Sequence, residues 1–580
     1  MERRINYGWH LFALNLIACL IAPSDQASAP CALREYKTGL VCVCNATYCD
    51  YLDDPTPTEE YLFTIVSSTK ASLLVYTLLR SNFLNKFRFH RYTPYILLSG
   101  IHLKIIFFFF SKSGLRFATT NGLFNLYKKY YILDYDQRLD STMQATTRSV
   151  QIKVDREKRL QNITGFGGSF TGSVSYILDK LPQELQDHLY KSFYSSSGIG
   201  FNLMRTPIGG CDFDLEAWAY NELPENDTAL SNITKLDPRE EKRIEQIKRL
   251  KLVSNVENLR IKAAAWSSPP WMKTNNAWTG LGRLKKEYYQ TWADYHLRWL
   301  ELWEDSGLPI WAISTGNEPL NGVAFMKLIK FMSLGWTPSQ QAVWLSENLG
   351  PTIRSKYKDM LIFGNDDQRY TYAFWFKQMK ASRSDSLDYL SGLAVHWYWD
   401  EIFKPKFIEV ARKEMPDRIL ISSESCIGDK PWQKAAPVLG SWERGEKYAR
   451  AFLQDLQNDF NGWIDWNIVL DEEGGPNYVK NFVDAPVIAN MTNGIEVYKQ
   501  PIFYAMGHFS KFIPEGSVRI AAERTNVNVD TVAFLRPDSS VALVIFNSGY
   551  ASVDVHITDP YRGSILFLIP PKSIHTVLYK

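Results

Sequence analysis

Eight short apolar runs, each followed by a helical stretch, dominate the chain between Asn162 and Leu470. They cover residues 163–167 (ITGFG), 200–205 (GFNLMR), 261–266 (IKAAAW), 310–314 (IWAIS), 360–363 (MLIF), 392–396 (GLAVH), 419–422 (ILIS) and 463–466 (WIDW). Strands that alternate with helices pair in parallel, because the helix returns the chain to the edge where the next strand starts. Eight such units predict an α/β architecture, a (β/α)8 barrel. Parallel strands buried on both faces are apolar along their length, as these runs are. The residues that follow them are different in kind: Arg205, Trp266, Asn317-Glu318, Asp366-Asp367, His396-Trp397-Tyr398, Glu424 and Trp466. A barrel places its chemistry at the C-terminal ends of its strands. A whole series of such residues marks a site, where a single one would merely end a strand.

After Pro501 the pattern changes. Residues 518–520, 531–535, 540–546, 553–557 and 573–579 are strand-like and are separated by turn residues such as Pro537-Asp538 and Asn547-Ser548-Gly549. They predict a small all-β sandwich. The stretch 117–154 offers it further strands, so the sandwich is expected to be built from N- and C-terminal segments. The expected division is a signal peptide (1–29), a Cys-rich β segment (30–70), an atypical insert (71–112) and a sandwich segment (113–160). The catalytic barrel (161–500) follows, then a last barrel helix with the sandwich (501–580).

Two carboxylates stand where a barrel mouth would bring them face to face. Glu318 follows strand four in Asn317-Glu318-Pro319, and Glu424 follows strand seven in Ser423-Glu424-Ser425. Glycosidic bond cleavage needs one carboxyl to protonate the departing oxygen and another to attack or stabilise the sugar carbon. Sugars need apolar platforms, for which Trp266, Trp271, Trp278, Trp432 and Trp466 are candidates. Asp212 and Asn481 can hold hydroxyls, and Arg205 can orient a carboxylate bidentately. His396 suits a proton carrier or, better, a satisfied polar residue at a strand end.

The N-terminus reads as a secretory signal. Glu2-Arg3-Arg4 precedes an apolar run at 11–22, too short for a membrane span, and Ala27-Ser28-Ala29 fits a cleavage site. Cys31, Cys42, Cys44 and Cys49 then crowd the mature N-terminus, where four cysteines allow three pairings. An oxidising compartment and the lack of a Cys/His array weigh against a zinc site. Cys211 and Cys426 are expected to be free, buried thiols. Sequons at Asn45, Asn162, Asn226, Asn232 and Asn490 agree with secretion.

Residues 71–112 differ from their flanks. They hold no Asp or Glu and six Lys or Arg, and removing those six takes the net charge from +3 to −3. A basic membrane-associating hairpin, a short spanning helix and a translated retained intron compete as readings. The codons implied by Phe, Leu, Ile, Tyr, Asn and Lys, and the run Phe107–Phe110 before Ser111-Lys112, favour the intron. Transcript sequencing tests this. The small net charge gives no argument for nucleic acid.

The motifs 165–168 (GFGG), 211–213 (CDF), 266–271 (WSSPPW), 317–319 (NEP), 366–369 (DDQR), 394–398 (AVHWY), 423–426 (SESC), 440–442 (GSW), 465–467 (DWN) and 474–481 (GGPNYVKN) resemble the lysosomal glucosylceramidases, acid β-glucosidases of glycoside hydrolase family 30. So do 41–49 (VCVCNATYC) and 507–516 (GHFSKFIPEG). The resemblance spans the chain apart from the signal and 71–112. It implies a retaining enzyme that hydrolyses glucosylceramide, with Glu318 as acid/base and Glu424 as nucleophile. Asp212, Trp266, Asn317, Trp466 and Asn481 would contact glucose, with Tyr398 and Arg205 supporting Glu424. It implies Cys31–Cys42 and Cys44–Cys49 disulfides and no metal or other cofactor. It further implies action on anionic lipid membranes, a saposin-like activator, and the lysosome reached through the secretory pathway, with secretion as the variant. Retention requires carboxyl groups about 5 Å apart, against roughly 9 Å for inversion.

Two departures stand out. After the first strand the family carries Thr-Asp where this chain has Thr171-Gly172, and the loop 320–336 has Phe and Met in place of a Gly-Tyr-Pro turn. The rival readings are a family-30 endo-glycanase on a polysaccharide and an inactive glycolipid-binding protein, which would need neither Glu318 nor Glu424.

Overall fold

The computed structural model describes residues 29–52 and 149–580, except 325–328, 431 and 435, together with the strand Leu62–Thr69, whose side chains are described from Ile65, and short backbone strands between 72 and 133. The signal region before Ala29, the side chains of 71–112 and the Phe325-Met326 part of the divergent loop lie outside the described residues.

All eight apolar runs become strands of one closed parallel barrel. They are β1 (Gly165–Ser169), β2 (Leu203–Ile208), β3 (Arg260–Ala265), β4 (Ala312–Ser314), β5 (Leu361–Gln368), β6 (Gly392–His396), β7 (Ile419–Glu424) and β8 (Gly462–Asn467). Closure is direct: β1 pairs with β8 from Gly165 opposite Gly462 to Ser169 opposite Asn467. Leu203, Ala312, Phe363, Ala394, Ile421 and Ile464 fill the interior as one apolar layer. β5 runs five residues past its apolar run, through Gly364-Asn365-Asp366-Asp367-Gln368. Those polar residues can stay in a buried strand because their partners lie across the barrel mouth.

The outer helices follow local rules. Helix Pro238–Ser254 has Asp237 as N-cap, accepting from Arg239 N, and Pro238 in its first turn. Glu240 and Glu241 meet the positive helix end, and left-handed Asn255 closes the C-terminus. Glu240 is buried, and its carboxylate accepts from Trp299 Nε1, Trp303 Nε1 and Tyr220 Oη. That ties the helix to its neighbour Tyr289–Asp305.

The sandwich forms as expected from both chain ends. In hydrogen-bonded order its strands are Ser72–Arg80, Leu62–Thr69, Ser573–Tyr579, Val541–Asn547, Val529–Leu535, Val518–Arg524, Ser149–Asn162, Val553–Asp559, Gly563–Ile569 and Tyr131–Leu133. Ile65, Val150, Ile152, Leu543, Ile545, Val555 and Phe567 share its core. Three strands exceed the sequence reading: Leu62–Thr69, Ser72–Arg80 from the stretch set apart as an insert, and Gly563–Ile569, whose side chains are mostly half-buried and do not alternate clearly. The stretch 117–154 supplies two described strands of that sheet, Tyr131–Leu133, which pairs with Gly563–Ile569, and the long strand that begins at Ser149. His508 joins barrel to sandwich, with Nδ1 on Thr576 Oγ1 and Nε2 on Ser68 Oγ, each at 2.9 Å.

The cysteine-bearing first part of the 30–70 segment goes elsewhere. Its hairpin, Leu33–Tyr36 with Gly39–Asn45, adds to a separate sheet through Glu496–Lys499, Val487–Ala489 and Val469–Asp471. The disulfides are Cys31–Cys42 and Cys44–Cys49, and Cys211 and Cys426 are free and buried. Among the described residues no helix is long and apolar enough to cross a membrane.

Candidate active site

Above the apolar layer the barrel turns polar. Glu318 and Asp366 are both left-handed, with φ of 44° and 48°, and the Glu318 amide donates to the Asp366 carbonyl at 3.0 Å. Such backbones cost about 1–3 kcal/mol each outside glycine and persist where the surroundings fix them. Irregularities in register at Asn365/Asp367 and at Val395/His396 re-aim the ends of β5 and β6.

Asp366 is the hub. Its Oδ2 accepts from Lys262 Nζ at 2.6 Å and Arg205 Nη2 at 3.3 Å, and its Oδ1 from Ser423 Oγ at 2.6 Å and His396 Nε2 at 3.2 Å. Burial works to raise this carboxyl, but the charges of Arg205 and Lys262 outweigh it and hold Asp366 well below the usual carboxylate range. Arg205 extends from the hub to Glu424 Oε2 and to Asn317 Oδ1 at 2.7 Å. Its guanidinium lies 4.8 Å from the Trp266 ring and 5.3 Å from Trp466, whose rings stack at 5.2 Å. Tyr398 Oη donates to Glu424 Oε1 at 2.7 Å.

His396 faces both glutamates. Nδ1 is 2.9 Å from Glu318 Oε1, and Nε2 is 3.8 Å from Glu424 Oε2. Burial pushes the ring down, but the charge of Glu424 and the hydrogen bonds to Asp366 and Glu318 raise it to about 10. His396 is therefore an imidazolium that donates from both nitrogens, a fixed cation and not a shuttle near neutral pH. Burial pushes the Glu318 carboxyl up. The hydrogen bond and charge of His396, with Asn321 and Arg205, outweigh burial and hold it below the glutamate range. Gln368 Nε2 also donates to Glu318 Oε1, at 2.8 Å. One oxygen of Glu318 lies within 4.8 Å of one oxygen of Glu424.

Both glutamates line a cavity of about 720 Å³. Asp212, Trp266, Asn317, Tyr398, Trp466 and Asn481 line it too. Asp212 is raised to about 8 by burial, then by the charges of Glu424 and Glu318. It is a neutral acid at mildly acid pH and can donate to a hydroxyl. The outer part of the cavity is apolar with scattered cations: Phe331, Tyr370, Trp399 and Phe403, with Lys330 and Lys480. Trp432 stands on this rim, 67% exposed, in edge contact with Trp399.

The other two tryptophan candidates are corrected. Trp271 is buried, with its Nε1 on the Asn221 carbonyl and its ring against Tyr288, and Trp278 packs with a core cluster beside the cavity. Both serve packing. Lys262, Ser423, Gln368 and Asn321 are site members that sequence reasoning missed. Asp366 carried a signal, the Asp-Asp pair ending a strand. Gly172 has a reason: a Cβ there would lie 1.5 Å from Asp214 Oδ1. Asp214 is buried and accepts from the Cys211 amide, so a carboxylate already stands against the backbone at 172. Glu318, His396 and Glu424 have metal-like spacing, but their atoms are committed to one another and to Arg205, Tyr398 and Asp366. Cys44 and Cys49, the other such grouping with Asp50, are joined in a disulfide.

The glycosyl hydrolase family 30 TIM-barrel domain matches residues 163–513, and the family 30 β-sandwich domain matches 516–577. The chain belongs to glycosyl hydrolase family 30. Within this family it is similar to the lysosomal acid glucosylceramidase of Mus musculus, 36% identical over 75% of this chain and 84% of the relative. It is also similar to putative glucosylceramidase 4 of Caenorhabditis elegans, 31% identical over 96% of both. In fold it matches SrfJ from Salmonella typhimurium, with a TM-score of 0.68 and 24% identity over 78% of this chain and 95% of that one. As a family 30 glycoside hydrolase the chain cleaves glycosidic bonds, and the paired carboxyls of Glu318 and Glu424 are its candidate for that work.

Proposed function

We propose that the chain is a retaining β-glucosidase that hydrolyses glucosylceramide to glucose and ceramide. The observation that carries this is the approach of Glu318 and Glu424 to within 4.8 Å, which leaves no room for the water an inverting enzyme holds between its carboxyls. Glu424 attacks the anomeric carbon while Glu318 gives its proton to the glycosidic oxygen, and ceramide leaves. Glu318 then takes a proton from water, which attacks the same carbon and frees Glu424. Arg205 and Tyr398 hold the nucleophile from both oxygens. Trp266, Trp466, Asp212, Asn317 and Asn481 surround the glucose. A carboxyl held low by His396 suits the second step as a base, and the first step needs the proton that acid surroundings supply.

The apolar rim with Lys330 and Lys480 supports a lipid aglycone drawn from an anionic membrane surface. The mouse and nematode relatives carry glucosylceramidase names, and the mouse one is lysosomal. We accordingly place the chain in the lysosome, reached through the secretory pathway, with a saposin-like activator as partner. The sequons at Asn162, Asn226 and Asn232 are exposed, and those at Asn45 and Asn490 half-buried, so the first three are the better glycan sites. The test is glucose release from glucosylceramide in anionic vesicles at mildly acid pH, beside Glu424→Gln. Release by the first and none by the second is expected. Release by neither from folded protein would contradict the reading.

A further inference from the structure

One buried cation at the site has no part in the steps above. Lys262 lies on β3 in register with Arg205 of β2, and its side chain is fully buried. Stripping an ammonium of water is costly, and a methionine would fill the same space without that penalty. The charge therefore needs an electrostatic reason.

The network supplies one. Lys262 and Arg205 share Asp366 Oδ2, and His396 holds Oδ1. Arg205 reaches Glu424 and His396 reaches Glu318. Three cations thus balance three anions when both glutamates are ionised. Burial pushes the Asp465 carboxyl well above the usual carboxylate range, and pushes Asp212 and Asp367 up to about 8 with the charge of the glutamates adding to the rise, so these three are not counted as anions at mildly acid pH. Without Lys262 the balance is lost by one negative charge. Burial lowers the Lys262 ammonium to about 8 against the pull of Asp366, with Arg205 adding to the fall and Glu424 opposing it.

Building on the retaining mechanism above, we propose that Lys262 is a positioning residue for the reaction. Through Asp366 it holds Arg205 and His396 against the two catalytic glutamates, and its charge offsets one of the three negative charges gathered there.

The test is the pH profile of kcat/KM on an aryl β-glucoside for wild type, K262M and K262Q. The two limbs of the bell belong to Glu318 and Glu424 titrating as a coupled pair. Losing a cation raises both, so the whole bell should move up by about 0.5–1 pH unit. On the wild-type acid limb this lowers kcat/KM about 3–10-fold, recovered at higher pH with KM unchanged. Unmoved limbs under a lower plateau would reduce Lys262 to packing and overturn the proposal. Should neither variant fold, the wild type answers by NMR. Esterifying Glu424 with a 2-deoxy-2-fluoroglucosyl group removes its charge and should lower the titration of Lys262 Nζ; an unchanged titration overturns the proposal. Glu424→Gln removes the same charge whether or not glucosides are cleaved. Failure of the β-glucosidase reading is thus separable from failure of the Lys262 proposal.

Discussion

Glu318 and Glu424 approach within 4.8 Å of each other, and one imidazolium, His396, faces both. The acid and the nucleophile of the proposed reaction therefore share an electrostatic environment. Removing the charge of either changes the proton affinity of the other.

Glu318→Gln separates the two half-reactions. With glucosylceramide, loss of the proton donor should lower kcat about 10²–10⁴-fold. With a 2,4-dinitrophenyl β-glucoside, whose leaving group needs no proton, the first step should survive, and azide should restore turnover. Equal losses on both substrates, with no rescue by azide, would deny Glu318 its role.

Tyr398→Phe removes the donor on Glu424 Oε1 and leaves Arg205 in place. The ionised nucleophile loses one stabilising hydrogen bond, so the acid limb of kcat/KM should rise, with roughly a tenfold loss below it. Steady-state kinetics across pH checks this. Asp366→Asn should be graver, since it leaves buried Arg205 and Lys262 undercompensated, at a cost of about 3–5 kcal/mol in stability. Chemical denaturation reads that.

His396 links pH to stability with a definite sign. Its folded value, about 10, lies above the ordinary histidine value, so its contribution is complete below about pH 6.5 and fades as pH rises towards 10. Asp366 is depressed, so its contribution holds above the ordinary aspartate range and fades only in stronger acid. The Tm gap between wild type and His396→Gln should be widest near pH 5–6 and narrow towards pH 9. A gap that widens with pH would refute the assignment of His396 as a fixed cation.

The rim predicts an aglycone effect. Trp432→Ala should raise KM for glucosylceramide in vesicles about 5–10-fold, as expected for one exposed aromatic anchor, and leave an aryl β-glucoside nearly unchanged. Parallel kinetics on the two substrates decide.

The barrel was legible because parallel strands must be apolar throughout, and all eight such runs are strands. Their polar ends were legible for the same reason, as breaks in apolar runs. Lys262 was not, because a lysine within IKAAAW reads as a solvated residue until β5 is known to bring Asp366 against it. Trp266 and Trp271 are five residues apart and chemically alike, and only closure of the barrel sends one to the cavity and the other to the Asn221 carbonyl. The Cys-rich hairpin pairs with Glu496–Lys499, more than four hundred residues away. Period-two patterning names a strand but not so distant a partner.

The central claim is that Glu424 forms a covalent glucosyl ester. Incubation with 2-deoxy-2-fluoro-β-D-glucosyl fluoride should inactivate the protein and add one fluoroglucosyl mass, and peptide mapping should find it on Glu424. A label on another carboxyl, or turnover that releases α-glucose first, would contradict the account.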